Sequence, residues 1–310
     1  MHLISGLGGS TTLPAAVLTI GAFDGIHLGH QHLIDTAVAR AAALGVQSAV
    51  LTFHPNPDRV LAPERAHPWL TDADEQTRQI AARGVDLLIV VPFTRETAQE
   101  TAEAFMVQVC ATLDLRELWV GHDFALGRGR QGTLDELRRI GERLGYRAES
   151  VGPLLLDGLP VSSTRIRAAL DAGDLALTNA LLGRAYALAG VVIHGDARGR
   201  TIGFPTANLA IDAGRALPGN GVYACRAEVG GRRYDAVTNI GVRPTFAGSE
   251  RRVEAHLLDF DGDLYGALLR LEFSARLRGE QKFDGIEALI AQIRLDIARA
   301  RELLRADRPI

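Results

Sequence analysis

The sequence predicts two domains: a doubly wound α/β domain on a parallel sheet, then a mainly β domain that ends in a helix. Two observations carry this expectation. Up to about residue 183, continuous apolar strands alternate with segments of helical period, as in a parallel sheet covered on both faces. Past Gly183, short strands follow one another between Gly, Pro and Asp turns, which suggests a small antiparallel barrel. A chain of 310 residues fits two domains at roughly 100–200 residues each. The expected division is 1–183 and 184–310, with the boundary near Leu182–Tyr186.

In the first half, Val17–Phe23, Gln47–Phe53, Val85–Pro92, Glu117–Gly121 and Arg147–Val151 read as strands. Gly29–Leu44, Thr71–Arg83, Glu96–Leu113 and Thr133–Leu144 carry the intervening helical period, and two short helices follow near Ser162–Ala172 and Asp174–Leu182. In the second half, Tyr186–His194, Gly221–Val229, Arg233–Ile240, Arg252–Leu258 and Leu268–Leu277 read as strands. Five or six strands are then followed by one long helix, Gly285–Leu304.

Composition narrows the chemistry. The net charge is −3, so no global field draws nucleic acid or an anionic membrane. Lys282 is the sole lysine among 34 basic residues, which excludes a G-x-x-x-x-G-K-[ST] phosphate loop upstream of it. Cys110 and Cys225 stand far apart, which excludes a disulfide framework and a Cys-based zinc site. No signal peptide is expected at the N-terminus, and no apolar run approaches the ~20 residues of a membrane span. A cytoplasmic location is the expectation.

Gly21-Ala-Phe-Asp-Gly-Ile-His-Leu-Gly-His30 lies between a predicted strand and a predicted helix. Glycines there let backbone approach a phosphate, and a helix start offers free N–H groups. His27 and His30, three apart, share one face of the first turn. The segment is either a glycine-rich turn with two solvated histidines or a nucleotide site, and its position after the first strand favours the nucleotide. Phe53-His-Pro-Asn-Pro57 and Gly121-His-Asp-Phe-Ala-Leu-Gly127, with Arg128, Arg130 and Gly132, leave other strand ends, where such sheets bind ligands. Ser162-Ser-Thr-Arg-Ile-Arg167 is either a helix cap or a second phosphate cradle.

These motifs resemble the FMN adenylyltransferase domain of bacterial bifunctional riboflavin kinase/FMN adenylyltransferases, where G-x-F-D-G-x-H-x-G-H, F-H-P, G-x-D-F-x-x-G and S-S-T-x-I-R occur in this order. The resemblance implies a nucleotidyltransferase fold that transfers AMP from ATP to FMN and releases pyrophosphate. It implies nucleotide contacts at Gly21, Phe23, Asp24, Gly25, His27, His30 and Asp123. His27 and His30 would hold the phosphates, and Ser163, Thr164 and Arg167 would close on them. Where the family often has D-F-R-F-G, this chain has Asp123-Phe-Ala-Leu-Gly127. Ala125 removes an arginine and leaves Arg128 and Arg130 as candidates to replace it.

In the second half, Gly195-Asp-Ala-Arg-Gly-Arg-Thr-Ile-Gly-Phe-Pro-Thr-Ala-Asn208 is glycine-rich. In an extended chain Thr206 and Asn208 point to one side, as neutral oxygen donors suited to Mg2+ carried by ATP; a turn with a local Asn208 bond is the equal alternative. Val253-Glu-Ala-His-Leu-Leu258 alternates strictly, so Glu254 is either a solvated strand residue, which alternation alone favours, or a base aimed into a site. Asn239-Ile-Gly-Val-Arg-Pro-Thr245 adds a polar turn. With G-x-x-x-G-F-P-T-A-N, N-I-G-x-R-P-T and V-E-x-H, this half resembles the riboflavin kinase domain of the same family over most of residues 184–307. The resemblance implies a six-stranded barrel transferring the ATP γ-phosphoryl group to the ribityl 5′-hydroxyl of riboflavin. Gly195 and Gly203 would line the nucleotide, Thr206 and Asn208 would hold Mg2+, Glu254 would be the general base, and Arg243 would contact phosphate or flavin. The expected small molecules are riboflavin, FMN and ATP, with no nucleic acid or membrane partner. A chain with only the kinase site fully active, and a non-catalytic flavin-binding regulator, are the alternatives.

Overall fold

The computed structural model describes residues 1–8, 13–195, 198–245 and 248–306; the side chains of 198, 243–245 and 248–250 also lie outside the description. Two compact units result, Met1–Ser163 and Thr164–Ile310.

In the first unit, strands β1 (His2–Ser5), β2 (Leu13–Ile20), β3 (Gln47–His54), β4 (Leu87–Pro92), β5 (Leu113–Gly121) and β6 (Arg147–Val151) form a six-stranded sheet. Its order is β1-β4-β3-β2-β5-β6, and every pairing is parallel. The helices are α1 (Leu28–Leu44), α2 (Pro57–Leu61), α3 (Ala73–Ala81), α4 (Ala102–Thr112) and α5 (Leu134–Leu144), and a small hairpin, β7 (Leu155–Leu156) with β8 (Leu159–Pro160), follows β6.

Both faces of the sheet are covered, which is why β2 reads as a continuous apolar run. Leu18 and Ile20 pack with Phe105 and Met106 of α4 and with Leu137 and Ile140 of α5. Val17 turns the other way, onto Ala37 and Ala41 of α1. Val50 of β3 faces the same side, with Ile34 of α1 and Ile80 of α3. The strand order reverses at β2, since β3 and β4 lie to one side and β5 and β6 to the other. The crevice outside the carboxyl ends of β2 and β5 is where such a sheet takes ligands. Edge strand β1 was not expected; its four residues are mostly exposed and carry no period to read.

The second unit holds α6 (Ser163–Asp171, from its second residue), α7 (Leu175–Leu182), β9 (Tyr186–Ile193), α8 (Arg198–Thr201), β10 (Ala207–Ala210), β11 (Gly221–Val229), β12 (Arg232–Thr245), β13 (Gly248–Leu257), β14 (Leu268–Arg278) and α9 (Ile286–Ala306). The six strands close into a barrel, β10-β13-β12-β11-β14-β9, antiparallel throughout. Ala300 and Leu304 of α9 pack on Ala224 of β11, and the largely buried Arg278 and Asp296 pair at 2.9 Å.

The compact division at 163/164 comes before the 183/184 boundary expected from the change of pattern. The physical reason lies in α6 and α7. Asn179 of α7 donates to the Phe273 carbonyl of β14 at 2.9 Å and accepts the Tyr186 N–H of β9 at 2.8 Å. The Gly219 N–H donates to the Leu170 carbonyl of α6 at 2.8 Å. Strand periodicity marks where the barrel begins but carries no trace of helices packed against it.

Candidate functional site

In the first unit, the loop after β2 bends sharply at non-glycine residues. Phe23 (φ 49°) and Ile26 (φ 39°) are both left-handed, an arrangement that costs free energy and persists only where the surroundings enforce it. Both side chains are 1% exposed, so the core supplies that enforcement. Asp24 acts as a clasp beneath the loop. Its Oδ1 accepts the N–H groups of Leu70 at 2.8 Å and Thr71 at 3.2 Å, while the Gly25 N–H donates to Thr71 Oγ1 at 3.0 Å. Gln76 donates to the Ala22 carbonyl at 2.9 Å, and Ser163 Oγ donates to the Asp24 carbonyl at 2.9 Å. Of the sequence-predicted residues, Phe23, Asp24, Gly25 and Ser163 therefore shape the loop directly.

The two histidines are packed, not solvated. Their rings stack at 3.6 Å with 18° between planes, and Phe23 meets His30 edge-on at 5.3 Å. His27 is the N-cap of α1, and its Nδ1 accepts the His30 N–H at 3.2 Å. That bond leaves the proton of the neutral ring on Nε2, so His27 presents Nε2–H as a donor. Burial, and next the neighbouring His27, hold the His30 pKa well below its usual value of 6.5. His30 is therefore neutral at pH 7, and what the pair could offer an anion is N–H dipoles beside the positive start of α1.

At the end of β5, the Phe124 N–H closes a turn on the Gly121 carbonyl at 3.1 Å, and Leu126 and Gly132 bridge as an antiparallel pair. Asp123 is exposed, and its carbonyl accepts Arg130 Nη2 at 2.8 Å. Arg130 thus braces the loop that bears Ala125; both Arg128 and Arg130 are exposed. Gly127 has φ 75° and lies against the Ala102 backbone with no space for a Cβ. This loop, α4 and the ends of β3 and β4 enclose a cavity of about 330 Å³ lined by Phe53, Phe93, Phe105, Leu126, Glu100 and Arg130. Sequence reasoning flagged Phe53 but missed Phe93 and Phe105, which converge only in the fold. Thr164 and Arg167 stand on the first two turns of α6, in the second unit.

On the barrel, Val253, Ala255 and Leu257 are at most 6% exposed, so Glu254 and His256 of β13 face outward. Asn208 of β10 and Asn239 of β12 are the register partners of Glu254 on its two sides. Directly paired residues point to one face, so Asn208, Glu254 and Asn239 stand abreast on the outer wall. Thr206 comes just before β10, and the adjoining Pro205 carbonyl is bonded to His256 Nδ1 at 2.7 Å. Gly195 lies so close to the Asn208 amide that any Cβ would overlap it, which explains a glycine there. Gly203 takes φ 86° in the turn before Phe204. Asn239 lies near the end of the expected strand Arg233–Ile240, and β12 runs on through the expected polar turn to Thr245; its partnership with Glu254 is a matter of register that no local pattern reveals. The Arg243 side chain and residues 196–197 lie outside the described residues.

Thr206, Asn208 and Glu254 make no side-chain hydrogen bond among the described residues. A hydroxyl, an amide oxygen and a nearby carboxylate are a donor set that fits Mg2+ bound to a nucleotide. Beside them lies a cavity of about 300 Å³ between Pro205–Thr206 and the segment Phe260–Tyr265.

Comparison with known proteins finds two family models, one on each part of the chain. A family model described as FAD synthetase matches residues 10–165, and one described as riboflavin kinase matches residues 182–304. The chain is similar to the bifunctional riboflavin kinase/FMN adenylyltransferase of Bacillus subtilis (strain 168), with 39% identity over 91% of this chain and 90% of that protein. Its namesakes in Pseudomonas fluorescens (41% identity over 93% of this chain and 92% of that protein) and Escherichia coli K12 (38%, all of both chains) are similar too. A crystal structure described as a macrolide-efflux protein from Streptococcus pneumoniae matches with TM-score 0.87 and 31% identity, over 96% of this chain and 98% of that one. Among the described residues, no helix is long and apolar enough to cross a membrane.

Proposed function

The chain belongs to the family of bifunctional riboflavin kinase/FMN adenylyltransferases, and from that premise we propose how its residues divide two reactions. It is an enzyme of flavin synthesis that converts riboflavin to FMN and FMN to FAD. The barrel carries the first reaction, and the observation that carries this reading is the row Asn208–Glu254–Asn239. Glu254 takes the proton of the ribityl 5′-hydroxyl as the oxygen attacks the γ-phosphorus, the bond from that phosphorus to the bridging oxygen breaks, and ADP leaves. Thr206 and Asn208 hold Mg2+, which when bound offsets charge on the ATP phosphates. Asn239 orients the ribityl chain beside Glu254. The cavity next to Thr206 takes the nucleoside part of ATP, and Gly195 and Gly203 let the chain pass close to it.

The parallel-sheet unit carries the second reaction. The N–H groups at the start of α1, with His27 and His30, hold the ATP phosphates and stabilise charge that develops during attack at the α-phosphorus. The cavity lined by Phe53, Phe93 and Phe105 takes the FMN ring, because it is apolar, of ligand size and at the strand ends. Asp123 bounds that site, and Thr164 and Arg167 keep the phosphate role implied by S-S-T-x-I-R. Kinase function begins at 184, with α6 and α7 as its structural support. A cytoplasmic location with no nucleic acid or membrane partner is part of this proposal; the small-molecule substrates and the scarcity of cysteine support it.

Incubation with riboflavin, ATP and Mg2+, followed by flavin separation, is expected to give FMN first and then FAD, and a chelator should stop the phosphorylation. FMN as the sole product would remove the adenylyltransferase assignment. Fragments test the helices. A chain starting at Thr164 is expected to fold and make FMN. One starting at Arg184 strips away Leu170, Leu175, Leu181 and Leu182, all at most 2% exposed. At roughly 1.5–3 kcal/mol per buried leucine, that is enough to unfold a typical domain, which thermal melting would record. Equal melting temperatures would mean that α6 and α7 do not support the barrel.

A further inference from the structure

The cavity beside Thr206 has one wall built from a single segment, Phe260–Tyr265. This segment is pinned at its start. Asp259 forms a two-point ion pair with Arg301 of α9 at 2.7 and 2.8 Å, and Phe260 packs edge-on against Tyr234 at 5.2 Å. At the other end the Gly266 N–H donates to the Val192 carbonyl at 2.9 Å. Tyr265 is 40% exposed, and among the described residues its ring rests on one partner ring: His194 stacks on it at 3.8 Å, with 29° between planes. His194 adjoins Gly195, the residue at which any Cβ would overlap the Asn208 amide. The His194 ring thus touches the cavity wall, while the next residue lies against Asn208 of the proposed Mg2+ donor set.

We propose that His194 is a positioning residue of the kinase site: its stack on Tyr265 holds the cavity wall at the width that the nucleoside part of ATP requires. The inference rests on the reading of the barrel as the kinase and of this cavity as its nucleotide site. His194 acts through ring contact and transfers no proton, so a phenyl ring at this position does the same work.

The test uses the full-length enzyme with each substrate varied in turn. His194→Ala is expected to raise KM for ATP roughly three- to tenfold, the scale of one aromatic pair, with kcat for FMN formation within about twofold. His194→Phe is expected to restore KM. FAD formation from supplied FMN should be unchanged in both variants, which shows that the chain is folded. Unchanged KM values in His194→Ala, or failure of His194→Phe to restore KM, would overturn the role of the stack. A rise confined to KM for riboflavin would instead overturn the assignment of the cavity to the nucleotide, and the proposal with it.

Discussion

Glu254→Gln is expected to lower riboflavin phosphorylation about 10²–10⁴-fold while FAD synthesis from supplied FMN continues. The amide keeps the shape of the carboxylate but has no lone pair basic enough to take the hydroxyl proton. The position makes the substitution clean. Glu254 is on the outer wall of the barrel, its neighbours Val253 and Ala255 fill the interior, and it makes no hydrogen bond among the described residues. A carboxylate in that setting contributes about 0.5 kcal/mol or less to stability. Thr206 and Asn208 remain, so ATP and Mg2+ should still bind, and titration with ATP would verify it. Near-normal FMN formation would remove Glu254 from the mechanism. Loss of both activities would signal damage to the fold.

Replacing His27 and His30 together by Ala is expected to cost adenylyl transfer two to four powers of ten, on the scale of donors aimed at a developing charge. FMN should then accumulate from riboflavin. Since His27 caps α1, about 1 kcal/mol of stability goes with it, and melting must be read beside the rates. The same variant carries a pH signature. The pKa of His30 is depressed in the folded protein, so its contribution to stability is complete above the unfolded value near 6.5. That contribution is lost as pH falls below 6.5 through the folded value. The wild type should therefore lose stability on acidification below pH 6.5 more steeply than the double variant. Parallel pH curves would show that His30 is not buried as a neutral ring, and unchanged FAD synthesis would remove the pair from catalysis.

The legible parts of this protein were those written in local period. The buried strands of the sheet and the alternation of β13 fix which side chains point inward, and the loops carrying His27, Asp123 and Thr206 follow from where those strands stop. What escaped depends on distant pairing. Asn239 belongs beside Glu254 only through the register of β12 on β13. Phe53, Phe93 and Phe105 come from three separate elements and meet only in three dimensions. For the short β10, the sequence leaves extended chain and a turn at Asn208 as equal alternatives, because four residues between a glycine-rich segment and a turn hold too little pattern. Likewise, the change of pattern at 183/184 marks where the barrel strands begin, whereas the compact division comes before α6 and α7, since amphipathic helices do not announce which neighbour they cover.

The left-handed Phe23 and Ile26 bear on affinity as well as on shape. A loop that must be ordered by its ligand charges that ordering against binding, and the observed affinity falls accordingly. Here the unfavourable backbone is already compensated by the buried side chains of the same two residues and by the Asp24 clasp. The loop is preorganised during folding, so under the proposed function a phosphate that reaches α1 would meet donors already aligned, and the ordering penalty would fall on the stability of the unit instead of on the ligand.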